Sequence, residues 1–203
     1  MQRFEDIVAA VHRLLRERSL VVVALDGGSG AGKTTLATRL VGVFDAAVVP
    51  QDDFFAGEIP RREWEHRSAA ERCRDVIDWA RVRAEALEPL RAGNVARWRP
   101  FDFAAGPRAD GSYAVSEQCV ERQSAPVIVL DGAYSASPAL EDLVDLTVLV
   151  DVPRAERHAR LAAREDAAFL ASWHALWDDA EAYYFSRVRP ATTFDFVVSP
   201  DAL

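Results

Sequence analysis

A glycine-rich segment early in the chain has the residue types and the spacing of a phosphate-binding loop. Residues 27–34 read GGSGAGKT and match the pattern G-x-x-x-x-G-K-[ST] at every position. In such a loop the backbone N–H groups point at phosphate oxygens, and the helix that follows directs its positive end at the same anion. The lysine contacts the β- and γ-phosphates, and the final hydroxyl binds Mg²⁺. The sequence therefore predicts a nucleoside triphosphate and Mg²⁺ site at Gly27, Gly28, Ser29, Gly30, Ala31, Gly32, Lys33, Thr34 and Thr35.

Lys33 is the only lysine among the 24 basic residues of the chain. The planar fork of an arginine does not fit where a slender ammonium must lie inside the loop, which explains why this lysine persists. A guanine-recognising GTPase is excluded because its Asn-Lys-x-Asp segment needs a second lysine. A switch-type D-x-x-G is also hard to find, since Gly132 directly follows Asp131. Large ATPase motors usually need a longer chain, so a small-molecule kinase is the favoured class.

Two predicted strands are followed by the carboxylates that a kinase needs. Asp52 and Asp53 follow the apolar run AAVVP, and Asp131 ends the run VIVL. In α/β proteins ligands bind at this end of the strands. We expect Asp52 to act on the acceptor hydroxyl and Asp131 to bind the metal with Thr34. Either acid could instead form a turn or cap a helix.

Three arginines follow the fourth predicted strand at helical spacing. Arg157, Arg160 and Arg164 occupy positions i, i+3 and i+7 of the segment 154–170. A helix face with three guanidinium groups could close over the phosphates as a catalytic lid. The alternative is a solvated face on which these arginines pair with Glu156 and Glu165.

The hydrophobic pattern predicts an α/β fold with a five-stranded parallel sheet flanked by helices. The run LVVVAL precedes the loop, and four more short apolar runs lie at 46–50, 126–132, 146–153 and 194–200. Helical patterns separate most of them, which favours right-handed crossovers and helices on both faces. The 203 residues are expected to form one domain. The interval 57–124 reads as an insertion that covers the strand ends, with a helix over 74–93 followed by an antiparallel hairpin.

Composition restricts the class of protein and its partners. The net charge of −8 disfavours a nucleic-acid binder with a general basic surface. No apolar run is long enough to span a membrane, and the first residues do not resemble a secretory signal. Cys73 and Cys119 have no paired spacing, so reduced thiols and a cytoplasmic location are expected. The scattered histidines, His12, His66, His158 and His174, suggest no metal site.

The order of these motifs resembles the uridine kinase-like P-loop kinases, a group related to phosphoribulokinase and bacterial pantothenate kinase. The resemblance runs from about residue 20 to 198 and includes the loop, QDDFF, IDW, FDF, VLDG and the arginine helix. It implies a P-loop NTPase three-layer sandwich and ATP as the phosphate donor. It also implies that Asp52 takes the proton of the acceptor hydroxyl, that Phe55 lies near the acceptor and that Asp78 holds sugar hydroxyls.

The sequence departs from this group where uridine and cytidine kinases recognise the pyrimidine. Phe101-Asp102-Phe103 stands in place of Tyr-Asp-Phe, and no histidine follows it. Asp131 stands where glutamate is common. Trp98 and Phe101, together with Asp53, are expected to line an acceptor pocket suited to a planar or apolar-bodied alcohol. Two alternatives are a kinase-derived nucleotide-binding regulatory module and an ATPase without a small-molecule acceptor; a homo-oligomer is also compatible with the sequence.

Overall fold

The structure is a computed structural model that describes residues 2–163 and 165–199. Its centre is a sheet of five parallel strands in the order β2-β5-β1-β6-β7. This sheet confirms the predicted α/β architecture, and each of its strands falls on one of the five apolar runs. The strands are β1 (Val21–Asp26), β2 (Ala46–Pro50), β5 (Val127–Asp131), β6 (Leu146–Val150) and β7 (Phe196–Val198).

Helices cover both faces of this sheet. On one face, α1 (Phe4–Leu15) and α2 (Lys33–Val41) pack against alternate side chains of β1, among them Val21 and Val23. On the other face, Val22 packs in a second core with side chains of α8 (Ala167–Tyr183). Because β1 is buried on both faces, its six residues form a continuous apolar run rather than an alternating one.

The strand register brings the predicted site residues to one edge of the sheet. Asp131, the last residue of β5, lies level with Leu25 of β1 and with Pro50 of β2. The glycine-rich loop follows β1, and a short 3₁₀ turn at Gln51–Phe54 follows β2. The loop, Asp52 and Asp131 are therefore neighbours because parallel strands end side by side.

The insertion contains two separate helices where the sequence predicts one over 74–93. Helix α4 (Ala69–Asp75) ends before the predicted helix has made a turn, and a new helix begins at Trp79. Between them, Asp78 accepts a hydrogen bond from the Arg81 N–H and so caps the second helix. Ile77 meanwhile pairs with Phe55 in an antiparallel bridge, which takes the backbone out of the helix. The one-helix prediction is therefore wrong in its first turn.

The helix that begins at Trp79 is continuous to its end. It runs through α5 (Trp79–Arg81), a π-helical stretch (Val82–Leu87) and α6 (Glu88–Arg91). Gly93 follows with φ +76°, the left-handed conformation that ends helices, as the sequence predicts. A short helix, α3 (Arg61–His66), precedes α4.

The antiparallel hairpin of the insertion is present, although its paired strands lie farther apart in sequence than predicted. Strand β3 (Ala96–Trp98) pairs with β4 (Val120–Arg122), and Phe101 pairs with Val115 in an isolated bridge. Helix α7 (Arg154–Ala162) follows β6 and precedes α8. Within residues 2–163 and 165–199, the helices are too short or too polar to cross a membrane.

A buried carboxylate at the end of β1 joins three segments. Asp26 is fully buried and accepts hydrogen bonds from the Gly27, Tyr134 and Ala136 N–H groups at 2.7, 2.9 and 3.0 Å. The Tyr184 hydroxyl donates a fourth at 2.7 Å. Burial raises the pKa of Asp26, and the hydrogen bonds from Tyr184, Ala136 and Gly27 oppose that rise. The start of the glycine-rich loop is thus fixed to the segment after β5 and to the end of α8.

The Asp26→Asn substitution should destabilise the fold. Two donors face each oxygen of Asp26, and an amide nitrogen cannot accept a hydrogen bond, so two buried donors lose their partner. We expect the free energy of unfolding to fall by about 2–4 kcal/mol, measured by urea denaturation. Asp45→Asn, at an exposed aspartate, is the control and should cause no measurable change. Equal stability of Asp26→Asn and wild type would contradict the role of this carboxylate.

Candidate active site

The glycine-rich loop lies between β1 and α2 with its lysine folded inward. Gly32 has φ +99° and forms the N-cap of α2, a conformation that a residue with a side chain adopts only with strain. Lys33 Nζ donates hydrogen bonds to the carbonyl oxygens of Gly27 at 2.8 Å and Gly28 at 3.1 Å. The ammonium group therefore lies inside the loop, where the sequence motif predicts the phosphates to bind.

Thr34 and Asp131 are in direct contact, as expected of two ligands of one metal ion. The Thr34 hydroxyl donates to Asp131 Oδ2 at 2.8 Å. Asp131 Oδ1 is buried and has no hydrogen-bond partner among the residues that the structure describes. Burial raises the pKa of Asp131, while the Thr34 hydrogen bond and the charge of Lys33 oppose that rise. A hydroxyl beside a carboxylate oxygen without a partner suits Mg²⁺, which prefers oxygen ligands.

Asp52 lies across the same cavity from the loop. It is exposed and belongs to the turn at Gln51–Phe54, directly after β2. The cavity has a volume of about 1060 Å³, and its polar lining includes Lys33, Thr34, Asp52 and Asp131. The four residues that sequence reasoning assigned to phosphate, metal and acceptor chemistry thus share one cavity, large enough for a nucleotide.

Arg157 lies beneath the loop rather than over the cavity. It is buried and donates to the Ser29 carbonyl oxygen and to Glu181 Oε2, both at 2.9 Å. Glu181 Oε1 accepts the Ser29 N–H at 2.8 Å, so the pair binds both sides of one loop residue. A Cβ at Gly28 would meet the ends of the Arg157 and Glu181 side chains, so a larger residue there would displace this pair. The prediction of Arg157 as a lid residue is therefore corrected. In this structure Arg157 pairs with Glu181, and the two side chains together support the loop.

Arg160 does reach the cavity. Its guanidinium lines the cavity and lies 3.3 Å from the Ala31 carbonyl oxygen, at the mouth of the loop. It also pairs with Glu156, the interaction that the alternative interpretation of a solvated face predicted. The third predicted lid residue, Arg164, lies outside the described residues. Of the two predicted lid arginines that the structure describes, one, Arg160, thus lies at the predicted phosphate site.

A second, smaller cavity of about 220 Å³ adjoins the first and is lined by aromatic rings. Phe103, Phe169 and Trp173 line both cavities and connect them. Trp173 and Trp177, one helical turn apart on α8, both lie in the wall of this cavity. The remaining aromatic side chains of the wall are Phe55, Trp64, Phe101 and Tyr113.

The aromatic cavity has few polar groups. Arg61 lies in its wall and is hydrogen-bonded to Ser172. Trp64 is also in the wall, and its indole nitrogen is buried with no hydrogen-bond partner among residues 2–163 and 165–199. A molecule bound here would meet flat apolar surfaces and a small number of donors.

Two of the five residues predicted to bind the acceptor line the aromatic cavity, and three do not. Phe55 and Phe101 are in its wall, with ring centroids 4.9 Å apart. Trp98 is buried, and its indole N–H donates to Asp53 at 2.7 Å, so this pair fixes the hairpin to the turn after β2. Asp78 caps a helix instead of facing the cavity. In this structure Asp53, Asp78 and Trp98 make hydrogen bonds inside the protein and do not line the aromatic cavity.

The chain is similar in sequence to known proteins. A family model described as the phosphoribulokinase / uridine kinase family matches residues 22–167. Uridine kinase from Chlamydia pneumoniae is 26% identical over 156 residues, 72% of this chain and 64% of that protein. Uridine kinase from Ureaplasma parvum serovar 3 is 22% identical over 156 residues, 74% of this chain and 72% of that protein. The chain thus spans less than two thirds of the length of the Chlamydia protein.

The fold is also similar to that of a solved structure. A possible uridine kinase from Bacillus stearothermophilus superimposes with a TM-score of 0.66 and 17% identity, over 95% of this chain and 98% of that one. At this identity the likeness concerns the fold. It confirms the expected P-loop NTPase sandwich.

The ion pair beneath the loop predicts the effect of one substitution. Glu181→Gln keeps the shape of the side chain but leaves the buried Arg157 without a counter-charge. We expect a loss of about 3 kcal/mol in the free energy of unfolding and weaker nucleotide binding, measured by urea denaturation and calorimetry.

The matched control for Glu181→Gln is Glu121→Gln, because Glu121 pairs with Arg97 on the surface, where both side chains are more than half exposed. Its effect on stability should be too small to measure. If Glu181→Gln behaved like Glu121→Gln, the buried pair would not be what supports the loop.

Proposed function

The chain belongs to the phosphoribulokinase / uridine kinase family of P-loop kinases, and we propose that it transfers the γ-phosphate of ATP to a hydroxyl group of a small metabolite. One observation carries the proposal. A single cavity contains the loop lysine, the Thr34–Asp131 pair and the exposed carboxylate of Asp52, and it opens onto an aromatic cavity with room for an acceptor.

In this proposal each residue of the large cavity has one task. Lys33 and the loop N–H groups bind the phosphates. Thr34 and Asp131 hold Mg²⁺, which when bound neutralises charge on the β- and γ-phosphates. Asp52 orients the acceptor hydroxyl and takes its proton as the oxygen attacks the γ-phosphorus. Arg160 stabilises the negative charge that spreads over the transferred group.

The lining of the small cavity favours an acceptor with a flat or apolar body. Phe55, Phe101 and Trp177 offer ring faces and edges, and the contacts of Asp53 and Asp78 leave them occupied elsewhere. Nucleosides meet this description as long as the aromatic wall, rather than a histidine, holds the base; an aromatic or alicyclic alcohol meets it as well.

Release of ADP from Mg·ATP across a panel of acceptors tests the proposed activity. The panel comprises uridine, cytidine, other nucleosides, pantothenate, sugar alcohols and aromatic alcohols. Saturable stimulation by at least one compound would support phosphoryl transfer and identify the acceptor class. Tight ATP binding without stimulation by any compound would contradict it and favour the regulatory module. Rapid hydrolysis that ignores every acceptor would favour the ATPase.

Asp52→Asn should abolish transfer without loss of nucleotide binding. The amide keeps the size of the side chain but cannot accept the hydroxyl proton, so we expect kcat to fall by about 10²–10⁴-fold. The Kd for ATP should stay near that of wild type. Asp151→Asn is the control, since Asp151 is also an exposed aspartate directly after a strand and does not line the cavity. Unchanged acceptor turnover in Asp52→Asn would rule out the assigned role.

Asp131→Asn should raise the Mg²⁺ concentration needed for half-maximal activity. The neutral amide is a weaker ligand for a hard cation, and we expect an increase of about 10–100-fold. The measurement is a Mg²⁺ titration of turnover at saturating ATP, with excess Mg²⁺ restoring part of the rate. An unchanged Mg²⁺ requirement would show that Asp131 does not hold the metal.

A further inference from the structure

Two of the four histidines meet in the folded protein, although they are 16 residues apart in the sequence. His158 of α7 and His174 of α8 stack with ring centroids 3.7 Å apart. Asp178 lies one turn after His174 on α8 and faces both rings. The prediction that the histidines are scattered is therefore wrong for His158 and His174, because the packing of α7 on α8 brings these two residues together.

The distances leave room for an ion between these three side chains. His174 Nδ1 lies 3.1 Å from Asp178 Oδ1, and His158 Nε2 lies 3.3 Å from Asp178 Oδ2. One potential ligand atom from each residue lies within 4.8 Å of the other two. Ligand atoms around a tetrahedral ion with bonds of about 2.0–2.1 Å are separated by a little over 3 Å, so ion binding requires the side chains to rotate until the longest separation closes.

The hydrogen bond between His174 and Asp178 accounts for only part of the cluster. His158 Nε2 is buried, yet it makes no hydrogen bond to any residue that the structure describes, despite its distance from Asp178. Neutral imidazole is the form in which histidine binds metals. A buried nitrogen without a partner beside a second imidazole and a carboxylate is what a metal site without its ion presents.

We propose that His158, His174 and Asp178 form a binding site for a divalent transition metal of the Zn²⁺ type. Two imidazole nitrogens and one carboxylate oxygen suit Zn²⁺ and its neighbours in the first transition row, whereas Mg²⁺ and Ca²⁺ prefer oxygen ligands alone. His174 and Asp178 are four residues apart on one helix and present their ligand atoms on one face. A fourth position is left for water. This site is separate from the Thr34–Asp131 pair.

The position of the site gives it a structural consequence. The metal would join α7 to α8, and each helix contributes to the loop: Arg157, next to His158, bonds to Ser29, and Glu181 of α8 bonds to the same residue. Arg160 of α7 lines the nucleotide cavity. An ion at this site would therefore fix the helix that carries the cavity arginine, and its occupancy should affect how that helix moves.

The test is Zn²⁺ binding by protein from which any affinity tag has been removed, measured by competition with a chromophoric chelator. We expect wild type to bind one equivalent. The double variant His158→Gln/His174→Gln should bind at least about tenfold more weakly. His66→Gln, at an exposed histidine of α3, should bind like wild type. Circular dichroism establishes that each variant is folded.

Co²⁺ spectroscopy gives an answer that does not depend on the variants. Co²⁺ added to wild type should give the visible absorption bands of a four-coordinate site with imidazole ligands, and Zn²⁺ should displace it. No stoichiometric Zn²⁺ binding by wild type would overturn the proposal. Binding that survives unchanged in the double variant would do so as well, since the metal would then lie elsewhere. Neither result bears on phosphoryl transfer, which the acceptor panel tests separately.

Discussion

An anion-binding loop has to be held in place before its anion arrives, and in this protein two buried carboxylates do so. Asp26 accepts the first N–H of the loop, and Glu181 accepts the N–H of Ser29 while neutralising Arg157. The same two residues anchor the segment after β5 and helices α7 and α8. A carboxylate this close to a phosphate-binding loop would repel the phosphate if its charge were unpaired. Here hydrogen-bond donors surround both carboxylates. The loop is thereby preorganised, which is what electrostatic catalysis needs.

The sheet register then determines which side chains meet at the loop. Strands β1, β2 and β5 are parallel and end level with one another. Asp131 and the turn that contains Asp52 therefore lie at the same edge of the sheet, and no direct contact between them is required. The insertion adds the aromatic wall beside this edge. In the proposed function, chemistry would reside on the strand ends, and acceptor choice would reside on the insertion and α8, which present the aromatic rings. This division explains how a chain can keep the phosphate site of its family while the acceptor wall departs from it.

The fold was largely predictable from the sequence because buried parallel strands need uninterrupted apolar runs, and five such runs are visible. The loop was predictable because every position of its motif has a geometric reason. Contacts between segments that are distant in the sequence were not predictable. Nothing local marks Glu181 as the partner of Arg157, and the IDW segment reads as helix although Ile77 is held in a bridge with Phe55. Asp78 and Trp98 have the right residue types for ligand binding, but their polar atoms are satisfied within the protein. The pairing of His158 with His174 likewise depends on how two helices pack.

The central claim is that the γ-phosphorus of ATP ends on an organic hydroxyl. ³¹P NMR of the protein with Mg·ATP and the pooled hydroxyl compounds follows that phosphorus directly. If the protein is a kinase of this kind, the γ-phosphate resonance will be replaced by a phosphomonoester resonance at the rate at which ADP appears. Accumulation of inorganic phosphate alone, or ATP that stays intact while bound, would contradict it.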